Sequence, residues 1–174
     1  MKRLLTILLI ILSFGEVKAQ ENINFYLHEN RVTIMCPDAS NGETGIIDGV
    51  EYTKRTREQI TVESAATTCT SGIEDMTDIF YYKRSFNGDI SHWDVSSTTN
   101  MGYIFSKTPF NQGISEWDVS SVNDMDYMFN GASAFNQNLK KWCVSFISTD
   151  PKSFSNGSPL TEENKPKWGT CPSN

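Results

Sequence analysis

Residues 73–146 read IEDMTDIFYYKRSFNGDISHWDVSS (73–97), TTNMGYIFSKTPFNQGISEWDVSS (98–121) and VNDMDYMFNGASAFNQNLKKWCVSF (122–146). Set under one another, the three segments agree at seven positions. These are Met76, Met101 and Met125; Phe80, Phe105 and Phe129; Phe86, Phe110 and Phe135; Asn87, Asn111 and Asn136; Ile90, Ile114 and Leu139; Trp93, Trp117 and Trp142; and Val95, Val119 and Val144. The period is 24 or 25 residues. A fixed period of this size marks a repeat array, in which one unit cannot bury its apolar face alone and stacked neighbours complete the core.

Within a unit, the residues read as helix then strand. Ser97 and Ser121 stand where an N-cap belongs, with Asn100 and Asp124 three residues on, close to a capping box. Met101, Ile104 and Phe105 fall at i, i+3 and i+4, and Met76, Ile79, Phe80 and Met125, Met128, Phe129 repeat this spacing, which predicts one face of a short helix. A turn follows, clearest at Asn130-Gly131. The apolar-polar-apolar Trp-Asp-Val then predicts a short strand. The expected fold is therefore an α/β solenoid, leucine-rich-repeat-like, with three helix–strand coils, a β-rich N-terminal cap and an irregular C-terminal cap. The expected divisions are a signal peptide over 1–19, the N-terminal cap over 20–72, the repeats over 73–149 and the C-terminal cap over 150–174.

The flanks support caps. Ile23, Phe25 and Leu27 alternate, as do Val32, Ile34 and Cys36, across the turn-prone 28–31. Asp48-Gly49 between Ile47 and Val50 is a second hairpin signal. After Trp142 the pattern breaks, and Phe146, Phe154, Leu160, Pro166 and Trp168 can fold over the last coil. Four cysteines allow three pairings. Sequence distance favours Cys36–Cys69 and Cys143–Cys171, one bridge at each end.

At the start of the chain, Lys2 and Arg3 precede an apolar run from Leu4 to Phe14, followed by Val17-Lys18-Ala19. This reads as a secretory signal peptide cut after Ala19; the run is too short for a span of roughly 20 residues. An oxidising compartment follows, in which an even cysteine count means disulfides. Removing residues 1–19 takes away Lys2, Arg3, Lys18 and Glu16, leaving 12 basic and 20 acidic residues, a net charge of −8. Such a surface disfavours nucleic acid and anionic lipid, so neither is expected as a partner, nor is membrane insertion after cleavage.

Catalytic and metal motifs are sparse. There is no Cys-x-x-Cys, and the only histidines are His28 and His92, which argues against zinc. No nucleophile elbow, zinc-protease motif or phosphate-binding glycine loop occurs, so no enzyme activity, cofactor or metal is expected. Asp94 and Asp118 could form an acidic ladder for calcium, but six to eight oxygens are needed; capping of nearby turns through Ser96, Ser97, Ser120 and Ser121 is the plainer reading. The three tryptophans could offer a platform for sugar rings, but packing into the core with paired indole N–H groups is the better reading. The Met and Phe stripes read as core. Asn87, Asn111 and Asn136 read as an asparagine ladder that satisfies backbone groups between coils.

The repeat Phe-Asn-x-x-Ile-x-x-Trp-Asp-Val-Ser-Ser, followed by Asn/Asp-Met-x-x-Ile/Met-Phe, resembles that of the BspA-like leucine-rich-repeat surface proteins of bacteria. The similarity covers 73–149 most strongly, and both flanks resemble family ends. The resemblance implies a secreted or surface protein of the kind linked to adhesion, without defining a ligand. The expected function is non-catalytic recognition or adhesion, with a protein or glycan partner at a cell surface or matrix. The alternatives are a structural extracellular component without a specific ligand and a small carbohydrate-binding module. The expected binding face is Asp94, Asp118, Ser115 and Glu116, with the loops 81–85, 106–109 and 130–134.

Overall fold

The computed structural model describes residues 23–173. The expected signal peptide over 1–19 lies outside the described residues.

Two small sheets form the N-terminal part. In the first, β1 (Tyr26–Leu27) pairs antiparallel with β2 (Ile34–Met35). In the second, β3 (Thr44–Ile47) and β4 (Val50–Lys54) form a hairpin, and β5 (Thr68–Cys69) adds parallel to β4. The hairpin turns at Asp48-Gly49, both with positive φ (50° and 80°), the combination that matches the twist of the flanking strands. Phe25, Ile34, Cys36, Ala39 and Cys69 make a small core of their own, while Ile23 and Leu27 are exposed. Gly45 lets the Phe25 ring close on the sheet: a Cβ there would lie 2.3 Å from the ring. A disulfide, Cys36–Cys69, ties the two sheets together.

The repeats are not a helix–strand solenoid of leucine-rich-repeat type. Among the described residues there is no α-helix, and the three 3-10 turns, Arg57–Gln59, Ala65–Thr67 and Glu162–Asn164, lie outside 73–149. The expected helix over Met101–Phe105 fails for a specific reason. Its backbone N–H groups are given to the next coil. Met101, Tyr103, Phe105 and Lys107 donate to the carbonyls of Asp124, Asp126, Met128 and Asn130 at 2.9–3.1 Å. Met76, Asp78, Phe80 and Tyr82 donate in the same way to Asn100, Gly102, Ile104 and Ser106. The intervening residues close i→i+3 turns: Ile104, Ser106 and Thr108 donate to Met101, Tyr103 and Phe105. Two residues per coil are left-handed, Asp78, Tyr103 and Tyr127 in one row and Tyr82, Lys107 and Gly131 in another. A left-handed residue cannot continue a right-handed helix. The i, i+3, i+4 apolar spacing therefore comes from a chain of tight turns that returns Met, Ile or Met, and Phe to the interior.

The expected Trp-Asp-Val strand is also absent. Asp94 Oδ1 accepts from the Ser96 N–H, and Asp118 Oδ1 from the Ser120 N–H, both at 3.1 Å. Asp75, Asn100 and Asp124 bend the chain likewise, each accepting from the N–H two residues on. Asx turns compete with strands and helices for the same donors. The expected capping box is in fact this set of turns, which sit at the parallel bridges Asp75–Asn100 and Asn100–Asp124 between coils.

Side chains keep the coils in register. Phe80, Phe105 and Phe129 stack at 6.1 and 5.6 Å between ring centroids, and Phe86, Phe110 and Phe135 at 5.8 and 6.0 Å, all within 14° of parallel. Trp93 and Trp117 stack at 6.4 Å. The indole N–H of Trp93, Trp117 and Trp142 donates to the carbonyl of Ala65, Ile90 and Ile114, one coil back, so each tryptophan is buried with its polar atom satisfied. Asn87 Oδ1 accepts from the Asn111 N–H, Asn111 Oδ1 from Asn136 and Asn136 Oδ1 from Thr161.

The ladder runs one step beyond the repeats. Tyr127, Phe129 and Gly131 donate to the carbonyls of Lys152, Phe154 and Asn156, making 150–164 a partial fourth coil. Ser155 takes the stacking position there, and Phe154 meets Phe129 edge-on (89°) and is met edge-on by Trp168. Pro151 takes the position of Met76, Met101 and Met125, where a ladder N–H would face outward. Proline has none, a common way to blunt an open edge. Cys143–Cys171 ties the end segment to the last coil. Two formed disulfides fit an oxidising compartment, and no helix among the described residues is long and apolar enough to cross a membrane.

Candidate functional site

The expected acidic face does not form a continuous ladder. Asp94 is 5% exposed: β1 and β2 fold over it, and the Ile34 N–H donates to the His92 carbonyl at 2.8 Å. Its carboxylate is spent on Ser96, whose N–H and hydroxyl both donate to Oδ1. Asp118, one coil on, is exposed. Glu116 pairs with Lys141 at 2.5 Å and accepts from the Ser115 hydroxyl. The Lys141 ammonium beside it holds the Glu116 carboxyl below its usual range. Asp94, Glu116 and Asp118 share a cleft of about 60 Å³ with His28, Asn30 and Thr33, smaller than a sugar ring. Among the described residues, no three His, Cys, Asp or Glu side chains gather as metal ligands.

His92 belongs to the fold. Its Nε2 lies 3.0 Å from the Thr68 carbonyl, an acceptor only, so Nε2 carries the proton. Burial holds its pKa below the ordinary histidine value, against the opposing pull of that carbonyl and of Asp89.

A different surface stands out along the Met–Phe segment. Tyr103 and Tyr127 stack face to face at 4.6 Å, 10° from parallel. Tyr81 meets Tyr103 edge-on at 5.8 Å and Tyr82 at 4.9 Å. Lys152 sits 5.3 Å over the Tyr127 ring, and Arg84 5.3 Å over the Tyr82 ring. Tyr81, Tyr82 and Tyr103 are exposed. The ring faces are taken up by each other and by the cations, so the row offers solvent its ring edges and hydroxyls. Tyr82, Tyr103 and Tyr127 are left-handed, with φ near 60°, a conformation that costs a bulky residue about 1–2 kcal/mol and that glycine adopts freely.

The expected loops 81–85, 106–109 and 130–134 come together. They frame a groove of about 220 Å³ lined by Arg84, Lys107, Thr108, Pro109, Gly131 and Ser133. Among the known families, the model described as "Mycoplasma protein of unknown function, DUF285" matches residues 51–168. The chain belongs to the DUF285 family. No curated protein and no solved structure matched it. The DUF285 match starts inside β4 and ends at Trp168, so it takes in β5, all the coils and the aromatic that closes them. The tyrosine row and the groove of this DUF285 chain both lie within it.

Tyr81, Tyr82, Arg84 and Lys107 lie in the expected loops, whereas Tyr103 and Tyr127 fall outside every expected site. A signal was present. Tyr103 and Tyr127 align across two coils at a position outside the seven core matches, and the first coil has Asp78 there. An aligned aromatic without a core role is the mark of a surface.

Proposed function

We propose that this protein is a non-catalytic recognition protein that works outside the cytoplasm and binds protein or glycan through the tyrosine-bearing flank of its coils. The observation that carries the reading is the tyrosine row, in which Tyr81, Tyr82 and Tyr103 are exposed and Tyr127 is half-buried, and in which Tyr82, Tyr103 and Tyr127 are left-handed. Bulky residues in left-handed backbone are uncommon, and strain kept at an exposed side chain points to selection for what that side chain meets. Tyrosine gives large contact area for little entropy and is enriched at recognition surfaces. The resemblance to BspA-like surface proteins and the leader read in residues 1–19 support export and a place at or beyond the cell surface.

The test is binding of the mature chain, and of the variant Y103S/Y127S, to a glycan array and to a panel of matrix proteins. Tyr103 is exposed and Tyr127 half-buried, and neither belongs to the buried core cluster, so melting temperature serves as the control. Binding that disappears in the variant supports the reading. Absence of binding to any glycan or protein on the panels favours a structural component without a specific ligand.

A further inference from the structure

We propose that the groove between Arg84 and Lys107 is an anionic-sugar subsite, which takes one carboxylate- or sulfate-bearing pyranose of an acidic glycan. The proposal rests on the recognition reading above and narrows its ligand class.

Charge is sorted around the coils. Residues 79–88, 104–113 and 128–138 contain no Asp or Glu, and they hold Lys83, Arg84 and Lys107. The acids of the coils fall elsewhere, at 74–78, 89–94, 116–118 and 124–126. A chain of net −8 after residue 19 thus turns one basic edge to solvent. One acid near that edge is Glu63, whose carboxyl is drawn down chiefly by hydrogen bonds to its own backbone and to Thr61, with Lys83 as a smaller contributor. Lys83 is thereby partly answered, whereas the lining of the groove includes Arg84 and Lys107 and no carboxylate.

Both cations are seated before any ligand arrives. The Arg84 guanidinium lies over Tyr82. The Lys107 side chain lies across the backbone of Gly131, where a Cβ would come within 2.8 Å of its Cδ and Nζ. Glycine at 131 therefore makes the seat, and its positive φ of 65° belongs to the left-handed row. Fixing two long side chains in advance removes much of the ordering cost of binding an anion. Arginine adds a planar fork that fits a carboxylate or sulfate.

Size and backbone favour a sugar over a peptide. The groove is about 220 Å³, room for one ring. Pro109, Gly131 and the exposed Ser133 complete its lining. An acidic peptide would need open backbone partners for a strand, but the Lys107 and Gly131 N–H groups already go to Asn130 and Asn156, and the Ser133 N–H to Thr108. Tyr82, under Arg84 and edge-on to Tyr81, joins the subsite to the tyrosine row, so a longer glycan can run from one to the other.

The test is calorimetric titration of the mature chain at low salt. The probes are a hyaluronan oligosaccharide, a chondroitin sulfate oligosaccharide, neutral maltohexaose, inorganic sulfate and polyglutamate. The acidic oligosaccharides should bind and maltohexaose should not. Arg84→Gln and Lys107→Gln should each weaken binding about tenfold, the worth of one charge-assisted contact, while Lys140→Gln on another face leaves it unchanged. Gly131→Ala should also weaken it, and circular dichroism shows whether the fold holds. The proposal is overturned if neither acidic oligosaccharide binds, or if the Arg84 and Lys107 variants bind as the parent does. It is also overturned if inorganic sulfate binds as tightly as the sugars, or if polyglutamate binds better with the same residue dependence. Loss of a partner on Y103S/Y127S while acidic sugars fail to bind would leave the recognition reading standing and the subsite refuted.

Discussion

Phe105→Ala tests how the coils are held together. The Phe105 ring is fully buried and lies 6.1 Å from Phe80, 5.6 Å from Phe129, 4.0 Å from Phe110 and 6.1 Å from Trp117. It touches the coil before it and the coil after it. Deleting a buried ring costs about 3–5 kcal/mol, a large share of the roughly 5–15 kcal/mol that holds a domain. At about 2–4 °C per kcal/mol for a chain of this size, the midpoint should fall by roughly 6–20 °C. Thermal unfolding followed by near-UV circular dichroism measures the midpoint, and urea unfolding the free energy. A double-mutant cycle locates the loss. Phe80→Leu and Phe105→Leu, in adjacent coils, should couple by about 0.5–1.5 kcal/mol. Phe80→Leu and Phe129→Leu, separated by a whole coil, should add independently. A loss below about 1 kcal/mol for Phe105→Ala, or coupling of Phe80 to Phe129 as strong as to Phe105, would refute stacking as the source of stability.

Removing the first disulfide with Cys36→Ala and Cys69→Ala reopens a loop of 33 residues and should cost about 4 kcal/mol by chain entropy, seen as a lower urea midpoint; an unchanged midpoint would show that the two N-terminal sheets hold without it. Gly45→Ala should destabilise by more than about 2 kcal/mol, because the new methyl meets the Phe25 ring, and Gly45→Ala combined with Phe25→Leu should recover part of the loss. For His92, burial puts the folded pKa below the unfolded value near 6.5, so the unfolded chain binds the proton more readily. Its contribution to stability is complete above about pH 6.5 and declines as pH falls below that toward the folded pKa. Urea midpoints at about pH 7.5 and 5.5 should therefore drop more for the parent than for His92→Gln, and equal drops would contradict the assignment.

The sequence carried the register of the fold in Met76, Met101 and Met125 and in the Phe and Trp columns, because columns of large apolar residues at one period leave few other ways to be buried. It did not carry the local backbone. Met101, Ile104 and Phe105 have helical spacing, but a run of i→i+3 turns returns the same residues to the interior. What separates the two is where the N–H groups go, and that depends on a neighbour 23–25 residues away. The Asx residues were a partial clue. Asn100 and Asp124 stand at capping-box spacing from Ser97 and Ser121, whereas the same side chains cap turns as readily. At the candidate site, Asp94 and Asp118 occupy the same repeat position yet differ in exposure, since only Asp94 lies under the N-terminal hairpin, a contact between distant segments. The tyrosine row is legible in part, because Tyr103 and Tyr127 align, but its left-handed backbone is invisible in a string of letters.

Scalar couplings across hydrogen bonds, measured by NMR on the isotope-labelled mature chain, test the stacked-turn architecture most directly. The architecture predicts a coupling from the Tyr103 nitrogen to the Asp126 carbonyl carbon and from Phe105 to Met128. Coupling of the Phe105 nitrogen to the Met101 carbonyl carbon, the i→i−4 bond of a helix, would contradict it.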